Sequence, residues 1–588
     1  MSKKWVFFND KGNINNNHYD LAFNKLSEKS KRRRITSSNK KVNFYDLELN
    51  TIYINKIKEF DLEIVNSSKW LNAVVISYND ETIIKDIEKL TFVKKTQKVR
   101  KLKNNSIKIN YGFVDVKEYI KLSNAQLDLI NVKPLHNLGY KGEGVSVLVI
   151  DTGYNLEHEC LLHIKEKIED DDKKDFIYND NIVGNQTPSD WSAQDDHGTY
   201  ILSVIGGYAN QKIEGVAKDA SYLLAKTENL KWERVVEEDD FARALEWGEE
   251  KGADIMTASL GYIDWYEFSD LNGDSAITTK AINIAAEKGM TCVCAAGNEG
   301  LQGIIAPADS PNIISTGAVD LNGEITSFSS RGPTADNRIK PEICALGANT
   351  FCANPNYLQS YSQISGTSLA APMIGGVCAL LLQKFKEKFD NNSSDYDKIE
   401  YNKMIRDAIL LSGDKKYRPN NVYGWGLVNA EEASKYEPAI LNSGWNTFNF
   451  KYMTRYIENN IISIIDLDTK EFFGDNVDVY DYDNGEYKKV SSVKYDKGYY
   501  IFNKSNKKKI INLPNDFSTT TAHDVFKRNL NVGWNIIKGV TQSTKFTEIY
   551  NLNDNDLVYL YDDTINDYTL LNISDYAEPG KLYWIKHN

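Results

Sequence analysis

Four short segments carry side chains that could do chemistry together. Val149-Ile150-Asp151-Thr152-Gly153 is an apolar run ending in a carboxylate and a glycine turn. In open parallel sheets ligands gather at the carboxyl ends of strands, where an acid is well placed to orient a histidine. Asp196-His197-Gly198-Thr199, followed by Ile201, Leu202 and Val204, sets a histidine at the opening of a helix. Ser365-Gly366-Thr367-Ser368-Leu369-Ala370-Ala371-Pro372 sets a serine at another helix start, the positive end of the dipole. Ala370, Ile374, Val377 and Leu381 then follow at helical spacing. Ala295-Ala296-Gly297-Asn298 is a buried strand ending in an amide.

Those types complement one another. A serine hydroxyl is a weak nucleophile until a base takes its proton. His197 suits that base and can return the proton to a leaving amine. Asp151 suits the group that fixes the imidazole tautomer and stabilises the imidazolium. Acyl transfer builds negative charge on the former carbonyl oxygen, and the Asn298 amide is a donor for it. The order Asp, His, Ser along the chain is that of subtilisin, the reference case for this order.

The elements around these segments predict the scaffold. Between residues 128 and 436 short apolar runs (145–150, 222–225, 254–260, 291–296) alternate with amphipathic stretches at 241–250 and 277–287. Such alternation predicts an α/β domain with a mostly parallel sheet flanked by helices. Residues 1–105 read as a small α+β unit, with strands at 5–8, 70–76 and 93–99 and helices at 18–31 and 81–90. Residues 106–127 read as a linker. After 437 the composition turns to Tyr, Asn, Asp and Thr, with a degenerate repeat. One copy opens at Gly444-Trp445-Asn446 and the other at Gly533-Trp534-Asn535. The copies predict two small β modules, 437–513 and 529–588, whose first reading is packing or spacing.

At these residues the chain resembles the subtilisin-like (subtilase) serine peptidases, over about 128–436. The resemblance rests on Asp151-Thr152-Gly153, His197-Gly198-Thr199, Ser259-Leu260-Gly261, Gly297-Asn298 and Gly366-Thr367-Ser368. It continues in Ser327-Phe328-Ser329-Ser330-Arg331-Gly332 and Tyr423-Gly424-Trp425-Gly426. It implies a serine endopeptidase working through an acyl-enzyme, with Asp151, His197 and Ser368 as triad and Asn298 in the oxyanion hole. It implies that Ser259, Leu260, Gly261 and Gly297 bind substrate, Ser259-Leu260-Gly261 as a backbone edge pairing with an extended peptide. Ile305 would narrow the primary pocket and favour medium apolar side chains. The front unit resembles an inhibitory propeptide, which implies a zymogen, autoprocessing between about 99 and 123, and an intramolecular inhibitor as partner. No cofactor is implied. Glu169-Asp170-Asp171-Asp172, inside a spacing from Asp151 to His197 longer than in compact members, reads as a solvated acidic loop, with structural calcium as the alternative.

Composition bounds the rest. The 588 residues are 41% hydrophobic and 26% charged, a globular profile. The net charge of −12 argues against nucleic acid and anionic membrane as partners, and the resemblance implies protein or peptide substrates. The basic run Lys31-Arg32-Arg33-Arg34 reads as a solvated helix end rather than a nucleic-acid patch. Six cysteines without a C-x-x-C pair fit reduced, structural thiols, a cytoplasmic usage. The start is too polar for a secretory leader, so the chain stays in the cell or has lost one. Two other functions fit the sequence: a binding protein in which the C-terminal modules carry the main role, and a transpeptidase on the same triad.

Overall fold

The computed structural model describes residues 2–38, 41–99, 114–231, 237–262, 266–416, 418–448, 455–458, 461–464, 467–483, 486–493, 499–512, 533–538, 544–562, 567–577 and 582–587. They form two compact units, one of residues 1–391, 400–414 and 420–436, the other of 392–399, 415–419 and 437–588.

The first unit opens with a four-stranded antiparallel sheet of Ser2–Phe8, Glu63–Ser68, Ala73–Tyr78 and Val93–Lys98, with Ser2–Phe8 between the last two. Both faces are covered. Val6, Phe8, Val74 and Ile76 pack with Ile57, Ile84 and Ile87 of the helices Thr51–Lys58 and Glu81–Ile87. Trp5, Phe7, Ala73 and Val75 point the other way and meet Ile277 of the following domain. Burial on both faces explains an unbroken apolar run where a half-exposed strand would alternate. The sequence reading differs here in detail. The stretch 70–76 begins with a turn, Asn72 at φ 51°, before the strand proper. The helix read at 18–31 is two helices, Asn16–Lys25 and Glu28–Ser38, separated where Leu26 turns extended. The basic run is not a solvated helix end: Arg33 and Arg34 are buried against Glu249.

The larger part of this unit is a seven-stranded sheet in which every pairing is parallel. Its order is Ile343–Leu346, Ile313–Val319, Thr291–Ala295, Ile255–Ala258, Ser146–Asp151, Ser221–Lys226 and Lys173–Asp175. Helices Glu237–Lys251 and Ile277–Glu287 pack with the core of Leu148, Ile150, Met256 and Cys292. Helix Thr367–Phe389 contacts the four strands from Ile255–Ala258 to Ile343–Leu346 and is buried along nearly all its length. That enclosure, with strands on one side and helices on others, accounts for its apolar composition all round. The span read as a linker holds helix Tyr119–Leu129, whose Gln126 Oε1 accepts from Phe351 N and whose Tyr119 ring meets Phe351 and Tyr361. All six cysteines are free, buried thiols. Asp170–Asp172 is a short turn outside the core, with Asp170 on Lys173; among the described residues no cluster of three potential metal ligands occurs.

In the second unit two four-stranded antiparallel sheets repeat one strand order. Gly444–Phe448, Tyr499–Asn503, Val477–Asp483, Glu486–Val490 form the first; Gly533–Lys538, Leu582–His587, Leu557–Asp562, Asp567–Leu571 form the second. In each, the strand carrying Gly-Trp-Asn pairs with the strand that comes last in the chain within its four-stranded sheet, so the sequence repeat is a structural one. Each sheet has its own core, around Phe473, Val479 and Ile501 or around Phe546, Val558 and Ile585. Gly498, Val532 and Gly580-Lys581 of the repeat lie outside the described residues.

Candidate functional site

The parallel sheet brings several strand ends to one edge. Asp151 ends Ser146–Asp151, Ser259 follows Ile255–Ala258, and Gly297-Asn298 follows Thr291–Ala295. His197 is the second residue of helix Asp196–Gly206, and its Nδ1 lies 2.6 Å from Asp151 Oδ1. Gly198 allows this approach, since a Cβ there would stand 2.1 Å from the Gly153 carbonyl and 3.1 Å from Asp151 Cβ. Asp151 is fully buried. Its Oδ1 also accepts from Thr152 N at 2.8 Å and Thr152 Oγ1 at 3.3 Å, while Oδ2 has no partner among the described residues.

Ser368, 4% exposed, is the second residue of helix Thr367–Phe389. Its Oγ donates to the Ser259 carbonyl at 3.3 Å, and Ser259 Oγ donates back to the Ser368 carbonyl at 2.7 Å. The second bond has a local cause. Pro372 lacks the N–H that would bond the carbonyl four residues earlier, so the Ser368 carbonyl is left for the Ser259 hydroxyl. The sequence thus ties the serine's backbone to the strand edge Ser259-Leu260-Gly261. In this resting arrangement the described hydrogen bond of the Ser368 hydroxyl is to Ser259, not to the imidazole.

Asn298 Oδ1 accepts from Thr367 N at 2.9 Å and Thr367 Oγ1 at 3.0 Å. A backbone N–H can only donate, so the atom facing it is the oxygen and the amide NH2 is turned away from Thr367. A Cβ on Gly366 would come 3.7 Å from that nitrogen. Gly261, half-buried, and Gly297, buried at φ 114°, flank the Ile305 side chain. Cβ atoms on the two glycines would stand 2.1 and 3.1 Å from Ile305 Cδ1. Leu260 is half-buried beside them.

Carboxylates surround the imidazole. Burial presses His197 toward its neutral form; the Asp151 charge and hydrogen bond, with the Glu228 charge behind them, outweigh it and hold its pKa above the ordinary value. Asp196 is pushed up to about 6 by burial and by the neighbouring Asp195 charge. Glu228 is 4% exposed and accepts from Tyr262 Oη at 2.7 Å, joining the end of strand Ser221–Lys226 to the residue after Gly261. Gln194 braces the same corner, its Nε2 donating to the carbonyls of Thr152 and Glu228. Lys226, in register with Asp151, is fully buried between Asp175 and Asp190 and pins the long stretch before His197. Sequence reading singled out none of Glu228, Gln194 and Lys226. One signal was present: Lys226-Thr227-Glu228 follows an apolar run, at the same carboxyl-end position that marks Asp151.

Comparison with known proteins bears on both parts of this unit. A family model described as the subtilase family matches residues 142–426, and one described as the peptidase S8 propeptide domain, Bacteroidota, matches residues 3–111. The chain is similar to Subtilisin Savinase of Lederbergia lenta, 29% identical over 305 residues, covering 51% of this chain and 94% of that one. Subtilisin BL of the same organism is 28% identical with the same coverage. M-protease of Shouchella clausii is 29% identical, covering 51% of this chain and 67% of that one. The solved structure of the prenylagaramide maturation protease PagA is 25% identical at a TM-score of 0.40, over 52% of this chain and 97% of that one.

Proposed function

The chain belongs to the subtilase family of serine peptidases and carries that family's propeptide at its front, and on that premise we propose an endopeptidase acting through Asp151, His197 and Ser368, made as a zymogen and processed by its own site. The observation that carries the reading is the 2.6 Å contact of His197 with a fully buried Asp151 at the sheet edge that also holds Ser368 and Asn298. The Ser368 hydroxyl leaves the Ser259 carbonyl for His197 Nε2 as a peptide pairs with Ser259-Leu260-Gly261, since the incoming strand competes for that edge. His197 takes the hydroxyl proton as Oγ bonds the scissile carbonyl carbon. The charge moving to the carbonyl oxygen is met by the Asn298 amide. His197 then protonates the departing amine, the C–N bond breaks, and water activated by the same imidazole releases the acyl group from Ser368.

A fluorophosphonate probe tests this directly. Processed wild type is expected to gain one adduct, mapped by mass spectrometry to Ser368; labelling no greater than in a denatured control would remove the reading.

The electrostatics give a pH signature. The base works only as neutral imidazole, and the neighbouring carboxylates raise its pKa, so kcat/KM is lost as pH falls through that raised value. Glu228→Gln keeps an acceptor for Tyr262 Oη but removes a negative charge. Its acidic limb is expected at lower pH than in wild type. An unmoved limb in the kcat/KM profile would show that Glu228 does not act on His197.

The pocket for the side chain before the scissile bond lies where Ile305 fills the gap between Gly261 and Gly297. Medium apolar side chains fit above it. Ile305→Gly is expected to raise kcat/KM for Phe or Tyr relative to Leu about tenfold or more, the scale of a change of a few methylenes in an apolar pocket. Paired peptide substrates differing only there measure the ratio, and an unchanged ratio would place the pocket elsewhere.

A further inference from the structure

The buried basic run of the front domain suggests a role of its own. The front sheet already meets the peptidase domain, through Trp5 and Phe7 against Ile277 and through Ser68 and the backbone of Lys69 and Trp70 on Glu246. Between its first strand and helix Thr51–Lys58 the chain places two further helices and the turn Phe44–Asp46; helix Glu28–Ser38 packs on helix Glu237–Lys251, and Asp46 of the turn reaches Lys288 at the end of helix Ile277–Glu287, a second contact between the domains. Each of those helices is followed by a glycine at positive φ, Gly252 at 95° and Gly289 at 89°. A Cβ on Gly252 would stand 2.5 Å from Lys29 Cβ, and one on Gly289 would stand 2.7 Å from Ser37 Oγ. Helix Glu28–Ser38 therefore lands directly on the two helix ends.

Its charges are matched there. Arg33 Nη1 donates to the Ala253 carbonyl and Nε to the Lys288 carbonyl at 3.2 Å, so one guanidinium bonds the carboxyl ends of both helices, where the dipole is negative. Arg33 and Arg34 both reach the Glu249 carboxylate, which is fully buried, and Ser30 Oγ donates to it at 2.9 Å. In the reverse direction Lys288 of the peptidase domain reaches Asp46 of the front domain at 2.7 Å, and Asp46 also holds Arg34 at 2.8 Å. Burial alone would raise the Glu249 pKa; Arg33, Arg34 and Lys288 bring it down to about 2.

We propose that this insertion is a second anchor that keeps the front domain on the peptidase domain after the chain between them is cut, with the Glu249 carboxylate and the Ala253 and Lys288 carbonyls forming a receptor for the Arg33–Arg34 pair and the Lys288 ammonium holding Asp46 beside it. The inference rests on reading residues 2–99 as the cover of a peptidase site, and it concerns how that cover is retained. Deleting one side of a buried, hydrogen-bonded charge pair leaves the other buried and unpaired, and such losses fall on the dissociation rate.

The test uses the full chain carrying Ser368→Ala, with a recognition sequence for an unrelated protease placed within 100–113 and cut once. The nicked protein is expected to run as one species in gel filtration and to exchange its front piece slowly against labelled competitor. Arg33→Met with Arg34→Met, on one side, and Glu249→Gln, on the other, are each expected to speed exchange about 100-fold or more. Lys288→Met, which leaves the arginines untouched, is expected to speed it less, and near-ultraviolet circular dichroism of the uncut variants reports whether each has folded. Exchange in all three folded variants as slow as in the parent would overturn the proposal, as would immediate dissociation of the nicked parent. Because exchange is read without any catalytic turnover, either result stands whether or not wild type labels with the probe.

Discussion

Asp151→Asn is expected to lower kcat on the order of 10⁴-fold with little change in KM, the size known for loss of the triad aspartate in subtilisin. The structure says how the loss arises. Oδ1 accepts from Thr152 N, and a backbone N–H can face only an oxygen, so the asparagine carbonyl must take that place. It can still accept from His197 Nδ1, and the tautomer is kept. The amide nitrogen then falls at the position of Oδ2, which is buried without a partner among the described residues. What disappears is the negative charge that stabilises the imidazolium as the proton arrives. The variant's remaining activity should therefore show its acidic limb at lower pH than wild type, because the charge holding up the His197 pKa is gone. Steady-state kinetics across pH on a single peptide substrate check both. Activity within tenfold of wild type would mean that Asp151 does not serve the imidazole.

The candidate site residues that sequence reading singled out are those written in a few consecutive residues. Asp151, His197, Ser368 and Asn298 each sit where an element begins or ends, and the glycines beside them mark close backbone approach: Gly198 against Gly153, Gly297 against Ser330 and Ile305. Glu228 could not be found that way. Its effect on His197 comes from two strands becoming neighbours, and nothing in Thr227-Glu228-Asn229 states which strand lies beside Ser221–Lys226. The basic run failed for the same reason. Four consecutive cations read as solvated by composition, yet Arg33 and Arg34 are buried because Glu249, more than 200 residues away, waits at a helix end. The break at Leu26 and Ser27 was hidden too, since Ser27 N bonds the Glu250 carbonyl across the domain contact and not within its own helix. The fold of the peptidase domain was legible because a parallel sheet buried on both faces needs continuous apolar runs at regular intervals. Its entry helix Tyr119–Leu129 was not, because part of its docking is done by polar residues, Ser123 on Glu214 N and Gln126 on Phe351 N, which composition reads as solvated.

Ser368→Ala is the larger of the two expected effects, a loss in kcat on the order of 10⁶-fold, the size known for serine removal in subtilisin itself. The fold should survive it. Alanine is the better helix former, the only bond described for the hydroxyl is the 3.3 Å contact with the Ser259 carbonyl, and the stronger 2.7 Å bond from Ser259 Oγ uses the backbone of residue 368. The melting temperature should accordingly move by a few degrees at most, which separates loss of chemistry from loss of structure. The same variant reports on processing. Wild type is expected to yield a front fragment ending between about residues 99 and 123, and Ser368→Ala to remain one chain under the same conditions. Adding a trace of processed wild type then distinguishes two routes. If Ser368→Ala is cut only on that addition, one molecule can process another; if it stays whole, scission occurs within a molecule, as expected when the front domain is held on its own peptidase domain through Arg33, Arg34 and Glu249. Intact-mass measurement reads every case, and a Ser368→Ala chain that cuts itself as wild type does would take the nucleophile away from this serine.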